Sequence, residues 1–449
     1  MIKRKIDRYL VDFFQHDKKA LLITGARQIG KTFSIRRFGQ EHFESFVEIN
    51  FIDSPGLVKI FSNAKSSQDI LLRLSTVTNQ DLIKGKTLVF FDEVQECPEI
   101  ITAIKFLVEE GSYRYVLSGS LLGVEIKDIR SAPVGYMAVK DMFPLDFEEF
   151  AIAVGIKESI VSTLRENFLQ ETEVDDFIHE KMMEIFRLYL IVGGMPAAVE
   201  KYLETNNLQE VMAEQQSIIR LYKQDIAKYD PEHKLYIEEI FDRIPAELDA
   251  KNKRFILKNL NENIKFSRYQ NSFLWLKNAG VALPVYNVDE PKVPLILSSS
   301  RNLFKLFMSD IGLLASLYAD GIQLKILDNE PSINFGSVYE NAVAQELCAH
   351  GFPLYYYNSK RQGELDFVIE RNDEVLPLEV KSGKDYERHK ALSNVVASTT
   401  YNIPKAYVLC NDNVKKLGKI TYLPIYMLMF IQKEPSLPTN YKIDLGGLI

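Results

Sequence analysis

The chain has 449 residues, 46% hydrophobic and 26% charged, with a formal net charge of −7, a composition that excludes a disordered or fibrous protein and leaves room for about three packed cores. The negative balance excludes general coating of nucleic acid and leaves only a local basic face for that purpose. The longest apolar runs, Leu188 to Val199 and Tyr422 to Ile431, fall short of the ~18 residues a membrane span needs, and the scattered Cys97, Cys348 and Cys410 have no disulfide or metal spacing, so a cytoplasmic protein with no membrane partner is expected.

The basic start, Met1 to Arg8, lacks an apolar secretory core. Ala20 to Thr24 then reads as a buried strand, followed by Gly25-Ala26-Arg27-Gln28-Ile29-Gly30-Lys31-Thr32 and a helical continuation from Phe33 to Phe38. Strand, glycine-rich loop, Lys-Thr and helix form a P-loop, whose backbone amides cradle the phosphates of ATP. Lys31 is expected to reach the β- and γ-phosphates and Thr32 to bind Mg²⁺. Phe46 to Phe51 reads as a further strand; lying in sequence between the two nucleotide motifs, it places the chain in the P-loop branch with a catalytic glutamate. Thr87 to Glu93 is a strand ending in two carboxylates, with Asp92 predicted to bind Mg²⁺ and Glu93 to orient and deprotonate the attacking water. Tyr113 to Leu117 ends in Ser118-Gly119-Ser120, where Ser118 either senses the γ-phosphate or caps a helix.

Phe143 to Phe150 closes an ATPase domain set at residues 1–150. The period then becomes helical through Glu158 to Leu169 and Asp175 to Leu190, breaks at Ile191 to Pro196, and resumes from Ala197 to Tyr229, giving a helical lid or insert over 151–240. The double glycine before Met195-Pro196 is read as a plain turn or a functional bend. Over 241–300 a winged-helix-like segment is expected. Lys251, Lys253, Arg254, Lys258, Lys265, Arg268 and Lys277 there face one acid, Glu262; helices are predicted over Phe255 to Asn261 and Ser267 to Ala279, with a wing starting at Val281 to Val285. Arg268, Gln270 and Asn271 are residue types that read base edges, so the Lys251–Lys277 segment is a DNA-binding candidate; the competing reading is a solvated basic helix docked on the acidic ATPase.

In the last stretch, 301–449, Glu364 to Ile369 and Leu376 to Lys381 read as strands of a hairpin. A two-residue Asn372-Asp373 turn makes residues whose numbers sum to 745 lie opposite one another, so Asp366 faces Glu379. Opposed carboxylates need a compensating cation, and Lys381 shares the strand face of Glu379. Asp366 and Glu379 binding Mg²⁺, Lys381 assisting, and Glu340 from a helix over Gly336 to Glu346 would suit a metal-dependent phosphodiesterase. Surface charge on two exposed strands is the bland alternative.

GARQIGKT at 25–32, LVFFDEVQ at 88–95, the LSGS ending at 120, FPLDFEEF at 143–150, GGMP at 193–196, GSVYEN at 336–341, and ELDFVI with LEVKSG around Asp366 and Lys381 together resemble prokaryotic AAA-type ATPases with a C-terminal domain of unknown function. That resemblance spans nearly the whole chain. It implies an α/β P-loop parallel sheet, a winged-helix-like middle and a restriction-endonuclease-like C-terminal domain with a PD-(D/E)xK core. It also implies ATP binding and hydrolysis, without a substrate; the function expected of the whole chain is that of an ATP-hydrolysing, DNA-associated protein, with a homo-oligomer as one possible assembly, whose nucleotide state controls a nuclease-like domain, and the rival is a nucleotide-gated regulator or scaffold whose nuclease-like domain is silent. Similar proteins often carry a basic residue after the glycine of the Pro-Val-Gly segment, where this chain has Tyr136. The arginine finger is therefore unassigned, with Arg130 and Arg187 candidates by position.

Overall fold

A computed structural model describes residues 2–434 except 63, 65, 79, 121–134, 230–233, 251–254, 256–265, 319–320, 329 and 331–334. The first helix, α1 (Lys5–His16), leads into β1 (Ala20–Thr24), α2 (Lys31–His42), β2 (Ser45–Asn50), α3 (Ser67–Val77), β3 (Thr87–Asp92), α4 (Glu99–Glu110), β4 (Arg114–Gly119) and β5 (Met137–Asp141). These five strands form one parallel sheet in the order β2-β3-β4-β1-β5. β3 is buried at all six positions, as a parallel strand covered on both faces must be. The strand lying between the P-loop strand and the Asp-Glu strand is β4, from later in the chain, whereas β2 is at the sheet edge. Adjacency in sequence does not set adjacency in a sheet built from crossovers.

The next helices are α5 (Phe147–Ala153), α6 (Glu158–Gln170), α7 (Asp176–Val192), α8 (Pro196–Thr205), α9 (Leu208–Tyr229), α10 (Lys234–Asp249) and α11 (Phe266–Asn278). α7 and α8 meet at an angle of 119° across the double glycine. A Cβ on Gly194 would sit 2.0 Å from the Leu145 carbonyl oxygen, so that bend requires glycine. Among the described residues no single helix is long and apolar enough to cross a membrane.

After α11 come β6 (Ala282–Val288), β7 (Ser299–Met308), α12 (Ile311–Ser316), α13 (Ile322–Leu327), α14 (Gly336–Ala349), β8 (Tyr355–Ser359), β9 (Gly363–Arg371), β10 (Glu374–Val380), α15 (Lys390–Ala397), β11 (Ala406–Cys410), β12 (Lys415–Leu417) and β13 (Ile420–Pro424). These eight strands form a mixed sheet in the order β12-β13-β11-β10-β9-β8-β6-β7. Val281 to Val285, expected to open a wing, instead leads into β6, which pairs with β7 and runs parallel to β8 through Tyr286 to Val288. The 300/301 boundary falls inside β7. Of the basic segment, Lys251, Lys253, Arg254, Lys258 and Lys265 lie outside the described residues, as does the helix expected from Phe255 to Asn261 beyond its first residue.

Candidate functional site

The P-loop joins the end of β1 to the start of α2. Gly25, at φ 137°, brings its Cα so close to the chain that a Cβ would lie 2.2 Å from the Met142 carbonyl, and Gly30 at φ 90° opens α2. Lys31 and Thr32 are the first helical residues. Lys31 is buried, and its Nζ donates to the carbonyls of Gly25 at 2.9 Å and Ala26 at 2.7 Å. Burial pushes its pKa down to about 8, against the upward pull of Glu93 and Asp92.

Parallel register brings the ends of β2, β3 and β4 level, pairing Asn50 with Asp92 and Phe91 with Leu117. Asp92 Oδ2 accepts from Thr32 Oγ1 at 3.1 Å and Asn50 Nδ2 at 3.2 Å, and Oδ1 accepts from the Ser118 hydroxyl. Burial raises the Asp92 pKa. Ser118 is fully buried and turned onto Asp92, whereas Ser120 touches Glu93, its Oγ donating to Glu93 Oε2 at 3.2 Å. Glu93 itself has φ 55°, a left-handed backbone uncommon for a non-glycine residue, and Gln95 Nε2 donates to its Oε2 at 2.5 Å.

A cavity of about 630 Å³ opens over this edge, lined by Arg27, Gln28, Gly30, Lys31, Thr32 and Glu93. Ala26 and Ile29 are buried behind the loop. Sequence reasoning missed the residues that complete the cavity. Arg4, from the N-terminal segment, donates to the carbonyls of Ile29 at 3.1 Å and Phe143 at 2.8 Å, and Pro196 and Glu200 come from α8. Arg27 donates to Ser120 Oγ at 3.3 Å and pairs with Asp225 of α9 at 2.6 Å. The GGMP signal was the available pointer to α8; nothing local marks Arg4 or Asp225. Of the arginine-finger candidates, Arg130 lies outside the described residues, and Arg187 is on α7 near Tyr339 of α14, away from the cavity lining.

The C-terminal cluster is assembled by the hairpin β9/β10. Asn372 and Asp373 have φ of 53° and 60°, the geometry of a tight primed turn, and pairing runs from Glu374↔Arg371 to Leu378↔Phe367. Continuing that register sets Glu379 opposite Asp366, and the Val380 N–H donates to Asp366 Oδ2 at 2.9 Å. Lys381 Nζ is 2.8 Å from Glu379 Oε1. Glu340 on α14 is buried in the same region, 3.8 Å from Lys305 Nζ of β7. Sequence reasoning missed Lys305, which is fully buried, 2.8 Å from Glu364 Oε1 and 5.0 Å from the Tyr356 ring centroid. Burial lowers the Lys305 pKa, but Glu340, Glu364 and Asp366 outweigh it and hold the ammonium charged. Burial and Asp366 push Glu379 up to about 8.

Among the described residues no group of three His, Cys, Asp or Glu side chains is arranged to hold a metal ion. Glu340, Asp366 and Glu379, the expected ligands, lie close to two lysine ammoniums, Lys305 and Lys381.

Residues 17–151 match an AAA domain family, residues 183–326 a domain of unknown function (DUF8612), and residues 335–428 another (DUF4143). A search of curated proteins gives no match. Similar solved structures include the Walker-type ATPase PABY2304 of Pyrococcus abyssi, 16% identical over 71% of this chain and 96% of that one, with a TM-score of 0.41. The Aeropyrum pernix ORC1 protein in complex with DNA is 12% identical over 74% and 93%, TM-score 0.30. AMPPCP-bound DnaA from Aquifex aeolicus is 12% identical over 62% and 88%, TM-score 0.30. The strand order, the glycine-rich loop and the domain match, rather than these distant likenesses, identify the N-terminal part of the chain as a P-loop ATPase domain of the AAA type.

Proposed function

We propose that this protein is an ATP-hydrolysing, DNA-associated switch whose nucleotide state is passed to a C-terminal nuclease-like domain. The observation carrying the reading is the join of Thr32 to Asp92 at 3.1 Å on the edge of a cavity that Lys31 and Glu93 also line. That donor set fits Mg²⁺ with ATP: a hydroxyl and a carboxylate for the ion, and a buried ammonium that phosphate oxygens would take over from the Gly25 and Ala26 carbonyls. Bound Mg²⁺ would neutralise phosphate charge. Lys31 orients and neutralises the triphosphate, Glu93 holds the attacking water, and Ser118 fixes Asp92. Ser120, between Glu93 and Arg27, is a second candidate beside Ser118 for sensing the γ-phosphate.

The nuclease-like reading is supported by the order α14-β8-β9-β10-α15-β11 and by Asp366, Glu379 and Lys381 on the central hairpin. The lysines within that cluster favour the rival reading for its resting state, a regulator or scaffold, and no phosphodiester step is assigned to it. DNA association rests on the charge of the Lys251–Lys277 segment.

Phosphate release from Mg-ATP tests the main claim. Lys31→Ala should lose ATP binding, whereas Glu93→Gln should still bind ATP and hydrolyse it about 10²–10³-fold more slowly. Wild-type turnover left unchanged by both substitutions would refute it.

A further inference from the structure

Lys305 enters the C-terminal cluster from outside the hairpin that carries the acids. It is on β7, the edge strand of the eight-stranded sheet, yet its ammonium lies 2.8 Å from Glu364 Oε1 of β9 and 3.8 Å from Glu340 Oε2 of α14. The path of the side chain crosses the face of Tyr356, a fully buried ring of β8. A lysine with no exposed surface is tolerated only where carboxylates compensate its charge.

We propose that Lys305 is the resident cation of the acidic cluster and keeps that cluster closed to divalent metal ions. The proposal rests on reading Glu340, Asp366 and Glu379 as the ligand set of a nuclease-like site. An ammonium and a divalent ion draw on the same carboxylate charge, and at this spacing in a buried setting they repel each other. Glu340 serves Lys305, Glu379 serves Lys381, and Asp366 accepts the Val380 N–H while adding to the field at Lys305. Carboxylates engaged in this way are not gathered on a common point, which is why the cluster has the composition of a metal site without its arrangement. Lys381 cannot play the same part, because it is partly exposed at the sheet end and can swing away; Lys305 has no solvent to move into. The switch from closed to open would thus require movement of β7 relative to β9 rather than a side-chain rotation.

Mn²⁺ titration of the full-length protein without nucleotide, followed by the paramagnetic resonance of free Mn²⁺, tests this. The variants are Lys305→Met and the double variant Lys305→Met with Glu364→Gln, each also combined with Asp366→Asn. Wild type should show no Asp366-dependent uptake at millimolar Mn²⁺, and Lys305→Met should gain one such site, at least about tenfold tighter than anything in wild type. If circular dichroism shows that Lys305→Met does not fold, the double variant carries the test, since it removes the cation together with its nearest partner. Equal Asp366-dependent uptake by wild type and variant overturns the proposal and leaves the metal-site reading standing. No uptake by any folded variant overturns both.

Discussion

Asp310 shows how a single buried carboxylate ties the bend between α7 and α8 to the C-terminal half. Its oxygens accept the N–H groups of Gly194 at 2.6 Å and Leu313 at 3.0 Å, with Gln345 Nε2 at 3.5 Å. Tyr189 and Tyr222 are the titratable groups that feel its charge most clearly. Burial outweighs the donors and pushes the Asp310 pKa from 3.8 up to about 6. A folded-state value above the unfolded one means that folding favours the protonated acid. Its contribution to stability is complete below the unfolded value of 3.8 and lost as pH rises through about 6. Urea unfolding at acidic and neutral pH should therefore show a smaller loss of stability for Asp310→Asn than for wild type, by on the order of 2–3 kcal/mol. Parallel pH profiles for the two proteins would rule this out. The residue was invisible in the sequence because its meaning comes from Gly194, a contact 116 positions away.

At the scale of elements, what was legible depended on whether the determining chemistry is local. The P-loop and the β9/β10 hairpin were readable because Gly25, Gly30, Asn372 and Asp373 write their backbone conformation into the sequence. The destination of β6 was not, since a short apolar run around Leu283 and Pro284 does not say which sheet it will join, and its partner Tyr355 to Tyr357 comes some 70 residues later. Lys305 was missed for the same reason. The basic segment is a case where sequence speaks through charge alone: seven Lys or Arg against one Glu between positions 251 and 277. Changing Lys253, Arg254 and Arg268 to Ala should weaken duplex DNA binding and flatten the dependence of log affinity on log salt by about 0.9 for each phosphate no longer neutralised. Fluorescence anisotropy across a salt series measures both, and an unchanged slope would favour the docked-helix reading of this segment.

Across the whole molecule, the segment from Phe143 to Phe150 joins the nucleotide cavity to α14. Leu145 lines the cavity, and its N–H donates to the Gly194 carbonyl at 2.7 Å. The Tyr189 hydroxyl lies 2.8 Å from the Leu145 carbonyl and 3.2 Å from Glu346 of α14, whose Oε1 also accepts the Phe147 N–H at 2.6 Å. Asp146 is held by Lys5, which also pairs with Glu148, and lies 3.8 Å from His350; its neighbours keep its carboxyl below the ordinary range despite burial. α14 also carries Glu340, so one helix bears on both the ATPase and the acidic cluster. Coupling of this kind is a claim about two states, and only a nucleotide-dependent difference can establish it. The most direct measurement is hydrogen exchange on Glu93→Gln protein with Mg-ATP against the same protein with Mg-ADP, read over residues 143–150 and 336–349. A change in protection is expected in both segments. Changes confined to the five-stranded sheet and its loops, with 336–349 identical in the two nucleotides, would contradict the coupling.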